Sequence, residues 1–172
     1  MFLRRSISVL FAVFIPIVGW GTDMAMSFIK RHEGFSPVPY TCQGRQKTIG
    51  YGFADKELVA RGCMSVQEAE SILRRKVDET RILVRAMAGK RILTPFQETA
   101  LVSFAFNVGK RRYARSRVAR LVRNGGSVRA IQTELLKWRY VTDEKGRKVV
   151  SAGLYIRRRL ESEMFARRLK NG

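Results

Sequence analysis

The sequence predicts an α+β fold that is mostly helical, and three features support this prediction. Ser65-Val66-Gln67-Glu68 and Thr94-Pro95-Phe96-Gln97 are helix-start signatures, because each places a Glu or Gln three residues after a capping Ser or Thr. Apolar residues follow both signatures at helical spacing. The third feature is the segment from Val38 to Phe53, which alternates around a polar Gln43-Gly44-Arg45 turn and is the one clear β segment. We therefore expect a small β region enclosed by helices.

The later helices follow from the same signals. The signature at Ser65 opens a long helix that could link two lobes, and the signature at Thr94 leads into the apolar stretch from Ala100 to Phe106, the expected centre of the core. Further helices are predicted at Ser116 to Val122, behind a Ser127 cap, and at Leu154 to Leu169. No linker, repeat or low-complexity stretch divides these elements, which predicts a single domain.

The charge of the chain is its most unusual bulk property. The 172 residues include 34 Lys and Arg against 14 Asp and Glu, which gives a net charge of +20. A hydrophobic content of 45%, with 10% aromatic residues, is sufficient for a core and excludes a disordered basic tail. Such a chain is expected to bind a polyanion: nucleic acid, an anionic membrane surface or an acidic cell-envelope polymer. Composition alone does not choose among these three.

The N-terminus predicts export. Arg4 and Arg5 precede an apolar run from Ile7 to Val18, which is typical of a secretory signal and shorter than the ~20 residues of a membrane-spanning helix. We expect residues 1–21 to be a signal peptide or signal anchor, with residues 22–172 as the folded domain and a cleavage site after Gly21. Export to the periplasm or cell envelope follows, with a tether through residues 7–20 or a buried N-terminal helix as alternatives. Loss of residues 1–21 leaves a net charge of +18.

Glu33 is the strongest candidate for acid–base chemistry. A helix capped at Thr22 or Asp23 is expected to end at Glu33, because Gly34 is the residue type that terminates helices. The negative end of the helix dipole and the neighbouring aromatic residues Phe28 and Phe35 favour a protonated carboxyl, as a general acid requires. The alternative for Glu33 alone is a solvated carboxylate that pairs with a basic neighbour on its own helix.

The spacing around Glu33 resembles a known family. Eight residues separate Glu33 from Cys42, and five separate Cys42 from Thr48, which opens the run Thr48-Ile49-Gly50-Tyr51-Gly52. This pattern is similar to the active-site segment of the phage-type lysozymes, the endolysin muramidases of glycoside hydrolase family 24. The resemblance covers nearly all of the chain after the signal and extends to Thr94–Gln97, Phe104–Gly109, Trp138, and Gly153-Leu154 followed by Arg157, Arg158 and Glu161.

The resemblance implies a fold and a reaction. The fold has a small β-containing lobe and a larger helical lobe joined by a long helix, with peptidoglycan in the cleft between them. The reaction cleaves the β-1,4 bond between N-acetylmuramic acid and N-acetylglucosamine without cofactor or metal. Glu33 would be the general acid, with Thr48 and Cys42 positioning the attacking water. Cys42 departs from the Asp usual at its position, and its thiolate would replace a carboxylate as proton acceptor. Phe53 also departs from the family, since many members have His there.

The two cysteines, Cys42 and Cys63, raise a redox question in an exported protein. One hypothesis is that a disulfide between them masks Cys42 until it is reduced. A second is a permanent structural clasp, and a third is that the two thiols do not meet. The sole histidine, His32, adjoins Glu33 and is interpreted as a helix-surface imidazole without a catalytic role.

The sequence also predicts residues that bind the substrate and the partners of the protein. Tyr40 could stack on a sugar ring and Asn107 could line the cleft, so both are candidate substrate-binding residues, while Trp138 is expected in the helical core. The seven basic residues between Lys110 and Arg123 and the Arg157–Arg159 cluster are interpreted as attraction to the anionic envelope or membrane rather than to nucleic acid. We expect a monomer. Two other functions remain open: a lytic transglycosylase that uses Glu33 alone, and a noncatalytic cationic binding protein.

Overall fold

The computed structural model describes residues 18–41 and 46–167. Cys42 and most of the predicted N-terminal signal lie outside these residues. The elements in chain order are α1 (Val18–Glu33), β1 (Ser36–Thr41), β2 (Lys47–Gly50), α2 (Lys56–Ala60), α3 (Val66–Ala88), α4 (Pro95–Val108), α5 (Lys110–Ala114), α6 (Arg117–Arg123), α7 (Val128–Leu136), β3 (Tyr140–Thr142), β4 (Lys148–Val150) and α8 (Ala152–Ala166). This order confirms the predicted fold class, which is mostly helical with short antiparallel strand pairs.

The predicted β segment forms an antiparallel hairpin of β1 and β2. Tyr40 pairs with Thr48, Ser36 pairs with Gly50, and the register shifts between these two pairs. Beyond β2 the chain turns back on itself, since Ile49 and Phe53 exchange both backbone hydrogen bonds at 3.0 and 2.9 Å. With the short helix α2, this hairpin and its turn form the smaller part of the molecule.

Helix α3 joins that part to the remaining helices. Its 23 residues span about 34 Å at 1.5 Å per residue. Ser65 caps it as predicted by accepting from the Glu68 backbone N–H. Arg61 pairs with the Glu68 side chain.

Helix α4 is the centre of the core, as predicted. Both halves of the predicted capping box form, between the side chain and backbone of Thr94 and those of Gln97. The helix packs against α1, α3 and α8. Five consecutive or neighbouring apolar side chains are fully buried on it: Ala100, Leu101, Val102, Phe104 and Ala105.

Several element boundaries differ from the sequence prediction. Helix α1 begins at Val18, so Thr22 lies inside the helix instead of capping it, and its hydroxyl donates to Asp78 Oδ1 at 2.7 Å. Gly21 is buried against Arg81, which places the predicted cleavage site within α1. A second hairpin of β3 and β4, and the short helices α2 and α5, were not predicted.

The described part of the chain contains no helix long and apolar enough to cross a membrane. The predicted tether through residues 7–20 lies largely outside the described residues.

Candidate active site

Glu33 lies at the C-terminus of α1, where Gly34 adopts a φ of +67° and its N–H donates to the Lys30 carbonyl at 3.1 Å. This confirms the predicted helix end. The Glu33 side chain is 20% exposed and does not pair with a basic residue of its own helix. Lys30 pairs instead with Glu70 on α3. The Glu33 carboxyl is therefore free to face the later helices and the turn that follows β2.

The turn after β2 approaches the Glu33 carboxyl at Gly52. A Cβ atom at Gly52 would lie 3.0 Å from Glu33 Oε2, closer than nearly all Cβ contacts. Gly52 also has a φ of +77°, which residues other than glycine rarely adopt. The backbone of the β turn can approach the carboxyl because residue 52 has no side chain.

Thr48 lies on β2, opposite Tyr40 on β1. Thr48 is only 5% exposed, and its hydroxyl Oγ1 has no hydrogen-bond partner among residues 18–41 and 46–167. A buried hydroxyl without a partner is uncommon, because its desolvation is not compensated. Tyr40, in contrast, is 36% exposed, so its ring is available to a ligand. The two side chains lie on the same face of the hairpin as cross-strand neighbours.

The other oxygen of the Glu33 carboxyl accepts a hydrogen bond from α8, near the other end of the sequence. Arg157 Nη1 donates to Glu33 Oε1 at 2.5 Å, although the two residues are 124 positions apart. Arg157 Nε donates to Glu161 Oε1 at 3.2 Å, and Arg157 Nη2 donates to the carbonyl and the hydroxyl of Ser103 at 3.3 Å each. The guanidinium is thus fixed by groups on α1, α4 and α8.

A second arginine completes the cluster. Arg158 is fully buried, with its guanidinium 4.9 Å from the centre of the Phe104 ring. Its Nη2 donates to Glu161 Oε1 at 3.0 Å and to Asn107 Oδ1 at 3.1 Å. Burial lowers the pKa of Arg158 to about 10, so it remains protonated at neutral pH. Asn107, predicted as a substrate contact, therefore has a protein partner through its side-chain oxygen.

The buried arginines correct part of the charge interpretation. Arg157 and Arg158 were assigned to an envelope-binding surface, but both are buried and paired with Glu161. Only Arg159 of that cluster is exposed, where it lies 3.5 Å from Glu163. The spacing of Glu161, three and four residues after the two arginines, is the sequence signal for such a pairing. Ser103 had no such signal, because its role depends on the packing of α4 against α8.

Comparisons with known proteins identify the family of this chain. The family model described as phage lysozyme matches residues 30–161. The chain belongs to the phage lysozyme family. An endolysin of Acyrthosiphon pisum secondary endosymbiont phage 1 is 27% identical over 144 residues, covering 84% of this chain and 96% of that protein. An endolysin of Bacillus phage B103 is 33% identical over 146 residues, and the chain spans about half of its length, 53%.

A solved structure shows the same fold. The muramidase domain of SpmX from Asticaccaulis excentricus superposes with a TM-score of 0.72 at 27% identity, covering 84% of this chain and 95% of that domain. As a member of the phage lysozyme family, the chain is a lysozyme-type enzyme.

Of the two departures of this phage lysozyme family member from the family pattern, Phe53 lies within the described residues. Phe53 is buried next to Tyr51, with ring centres 6.5 Å apart. His32 is more buried than predicted: its ring lies 4.7 Å from Phe28, and Nε2 is buried without a partner among the described residues. Burial and the nearby charges of Arg157, Arg158 and Arg31 lower its pKa to about 4, so the ring is neutral at physiological pH.

The state of Cys63 bears on the cysteine hypotheses. Cys63 is an exposed, free thiol, so the structure does not contain the disulfide that would mask or clasp Cys42. Cys42 itself falls in the undescribed segment 42–45. Within the described ranges, no group of three or more His, Cys, Asp or Glu residues could bind a metal ion.

Proposed function

We propose that this member of the phage lysozyme family hydrolyses peptidoglycan at the β-1,4 bond between N-acetylmuramic acid and N-acetylglucosamine, with Glu33 as the general acid. One observation carries the proposal. Arg157 donates a hydrogen bond to Glu33 Oε1, while Oε2 lies so close to Gly52 that a Cβ there would come within 3.0 Å, so the carboxyl is oriented by α8 and enclosed by the turn after β2. Orientation of an acid toward the bond it protonates is a large part of its catalytic effect.

The bond changes of this reaction are simple. Glu33 transfers its proton to the glycosidic oxygen, and the bond between that oxygen and the anomeric carbon of the muramic acid breaks. A water oxygen attacks the anomeric carbon, and the water proton passes to a basic group on the far face. The products are a shortened glycan with a free hydroxyl and a glycan with a reducing muramic acid end.

Thr48 and Cys42 position the water in this proposal. The support for Thr48 is its buried hydroxyl without a partner in the described part of the chain, which leaves Oγ1 able to bind a water molecule. The support for Cys42 is its place in the family pattern, where Asp is usual. Arg45 and Lys47 are close in sequence and would favour the thiolate that accepts the water proton.

The remaining contacts are assigned by exposure. The partly exposed ring of Tyr40 lies beside Thr48 and would stack on a sugar. Asn107 would contact substrate through its amide nitrogen, since its oxygen accepts from Arg158. All seven basic residues between Lys110 and Arg123 are exposed, and they would attract the protein to the anionic envelope or membrane surface after export. We propose that a monomer carries out the reaction.

Product analysis tests the reaction class. Purified peptidoglycan is digested in water enriched in ¹⁸O, and the fragments are analysed by mass spectrometry. Hydrolysis predicts reducing muramic acid ends that carry one ¹⁸O atom. Anhydro ends without ¹⁸O would show a lytic transglycosylase, and an unchanged polymer would show a noncatalytic binding protein. Either result would contradict the proposal.

Two substitutions test how the water is positioned. Thr48→Val keeps the shape of the side chain and removes the hydroxyl, and Cys42→Ala removes the thiol. Each is expected to lower kcat by at least about tenfold with little change in KM. Cys63→Ser is the control for cysteine chemistry and should retain full activity with and without reductant. Full activity of Cys42→Ala would remove this residue from the mechanism.

A further inference from the structure

Arg157 lies between two carboxylates and cannot contact either one independently of the other. Its Nη1 donates to Glu33 at 2.5 Å, while its Nε donates to Glu161 at 3.2 Å. The side chain is 4% exposed, so water contributes little to its interactions. A guanidinium has a fixed planar geometry, and its orientation toward one carboxylate is therefore set by the other.

Glu161 is the more deeply buried of the two carboxylates. It is fully buried, and its Oε1 accepts from Ser103 Oγ at 2.6 Å as well as from Arg157 and Arg158. Burial raises the pKa of Glu161, but the two guanidiniums and the Ser103 hydroxyl oppose this effect. We assign Glu161 the ionised form, because two buried guanidiniums donate hydrogen bonds to one of its oxygens.

Among residues 18–41 and 46–167, the charges that face Glu33 come from several elements. Helix α8 contributes Arg157, Arg158 and Glu161, while α4 contributes the neutral Ser103 and Asn107. On its own helix, His32 is neutral and Arg31 is exposed, and in the turn after β2 the uncharged Gly52 lies next to the carboxyl. With both carboxyl groups ionised, the two arginines and two glutamates of this cluster sum to zero.

That balance changes when Glu33 carries its catalytic proton. The cluster then has one excess positive charge, and without the charge of Glu161 it would have two. A larger positive charge beside Glu33 favours loss of its proton. Glu161 therefore opposes the effect of the arginines on the very group that must be protonated.

We propose that Glu161 is a positioning residue for the reaction: it orients Arg157 against Glu33, and its negative charge lets Glu33 retain the proton to higher pH than Arg157 and Arg158 alone would allow. This inference rests on the proposed role of Glu33 as general acid. In this proposal, a residue on α8 that does not contact the substrate controls the reactivity of an acid on α1.

Three variants test the inference: Glu161→Gln, Arg158→Gln and the double variant. The pH dependence of kcat/KM on purified peptidoglycan is the first readout. Glu161→Gln should move the alkaline limb to lower pH by roughly one unit, a loss of about tenfold in activity on that limb. Arg158→Gln should move it to higher pH, and the double variant should lie near the wild type. Shifts in the same direction for both single variants, or no shift in folded protein, would overturn the inference.

The second readout requires no substrate. The Glu33 carboxyl carbon is observed by ¹³C NMR, assigned with Glu33→Gln, and its titration midpoint should move in the same directions as the activity limb. If Glu161→Gln does not fold, the step from Arg158→Gln to the double variant measures the same charge, and an unchanged midpoint across that step would also overturn the proposal. Absence of hydrolysis by the wild type would contradict only the proposed function.

Discussion

Arg157 on α8 donates to Glu33 on α1 at 2.5 Å, and this contact joins the last helix of the described chain to the first. The same guanidinium contacts Ser103 on α4, so three helices meet at one side chain. Because α1, α4 and α8 pack together around the core, the position of the proposed acid depends on the tertiary structure of the whole domain.

Arg157→Lys is expected to reduce activity strongly. Lysine keeps the charge, but its single nitrogen cannot contact Glu33, Glu161 and Ser103 at the separate positions that the guanidinium nitrogens occupy. We expect kcat/KM on purified peptidoglycan to fall by at least about tenfold, with a lower Tm. Arg159→Lys is the matched control, since its ion pair with Glu163 is exposed. Equal activity of the two variants would show that the geometry of Arg157 is unimportant.

Gly52→Ala tests the close approach between the β turn and Glu33. The added Cβ would lie 3.0 Å from Glu33 Oε2, and the φ of +77° strains any other residue by about 1–2 kcal/mol. Gly62→Ala is a matched control, because Gly62 has a φ of +76° with no atom within 4 Å of the added Cβ. Both variants should lose similar stability in urea denaturation. Only Gly52→Ala should lose most of its activity, and a comparable loss in both would remove the contact with Glu33 as its cause.

These tests concern a site that the sequence predicted only in part. Glu33 and Thr48 could be selected because their spacing along the chain follows the family pattern, and the caps at Ser65 and Thr94 placed two helices correctly. The contact of Glu33 with Arg157 could not be predicted, because a run of three arginines indicates a charged surface when burial is unknown. The β3–β4 hairpin was missed for a related reason: its strands have three residues each and are mostly exposed, so they carry no alternating pattern.

The N-terminal helix shows a second limit of local signals. Thr22 is a good capping residue by type, yet it lies inside α1, where it bonds to Asp78 and Arg81 on α3. A contact with a residue more than fifty positions away decided its environment. Local propensity does not include such contacts.

His32 predicts a pH dependence of stability. Its pKa in the folded protein is about 4, below the ordinary value of 6.5, so the unfolded chain binds a proton that the folded protein does not. Stability should therefore decrease as the pH falls from about 6.5 to 4 and change little through this residue below pH 4. We expect a contribution on the order of 1–2 kcal/mol, less than the full shift implies, because the ring is only half-buried.

The measurement is urea denaturation of the wild type and of His32→Gln between pH 7.5 and pH 3.5. Carboxyl groups titrate in both proteins, and the difference between the two curves isolates His32. The variant should lose less stability between pH 6.5 and pH 4 than the wild type. Parallel curves would contradict the assigned pKa of His32.

The exposed arginines between Lys110 and Arg123 predict salt-dependent binding to the envelope. Replacing Arg111, Arg115, Arg120 and Arg123 with Gln removes four exposed positive charges that lie outside the Glu33 cluster. We expect weaker sedimentation with purified sacculi and with vesicles containing anionic lipid, and a smaller dependence on salt. Activity on short soluble glycan fragments should be retained. Unchanged binding at low salt would exclude this surface as the site of attraction.

The central claim is that Glu33 supplies the proton that cleaves the glycan, and Glu33→Gln tests it most directly. The variant keeps the size and shape of the side chain and loses the acid, and Glu70→Gln on the exposed face of α3 is its control. With both variants folded to the same extent by circular dichroism, we predict that Glu33→Gln releases no muramic acid ends above background from purified peptidoglycan, while Glu70→Gln releases them at the wild-type rate. Release at the wild-type rate by Glu33→Gln would contradict the account.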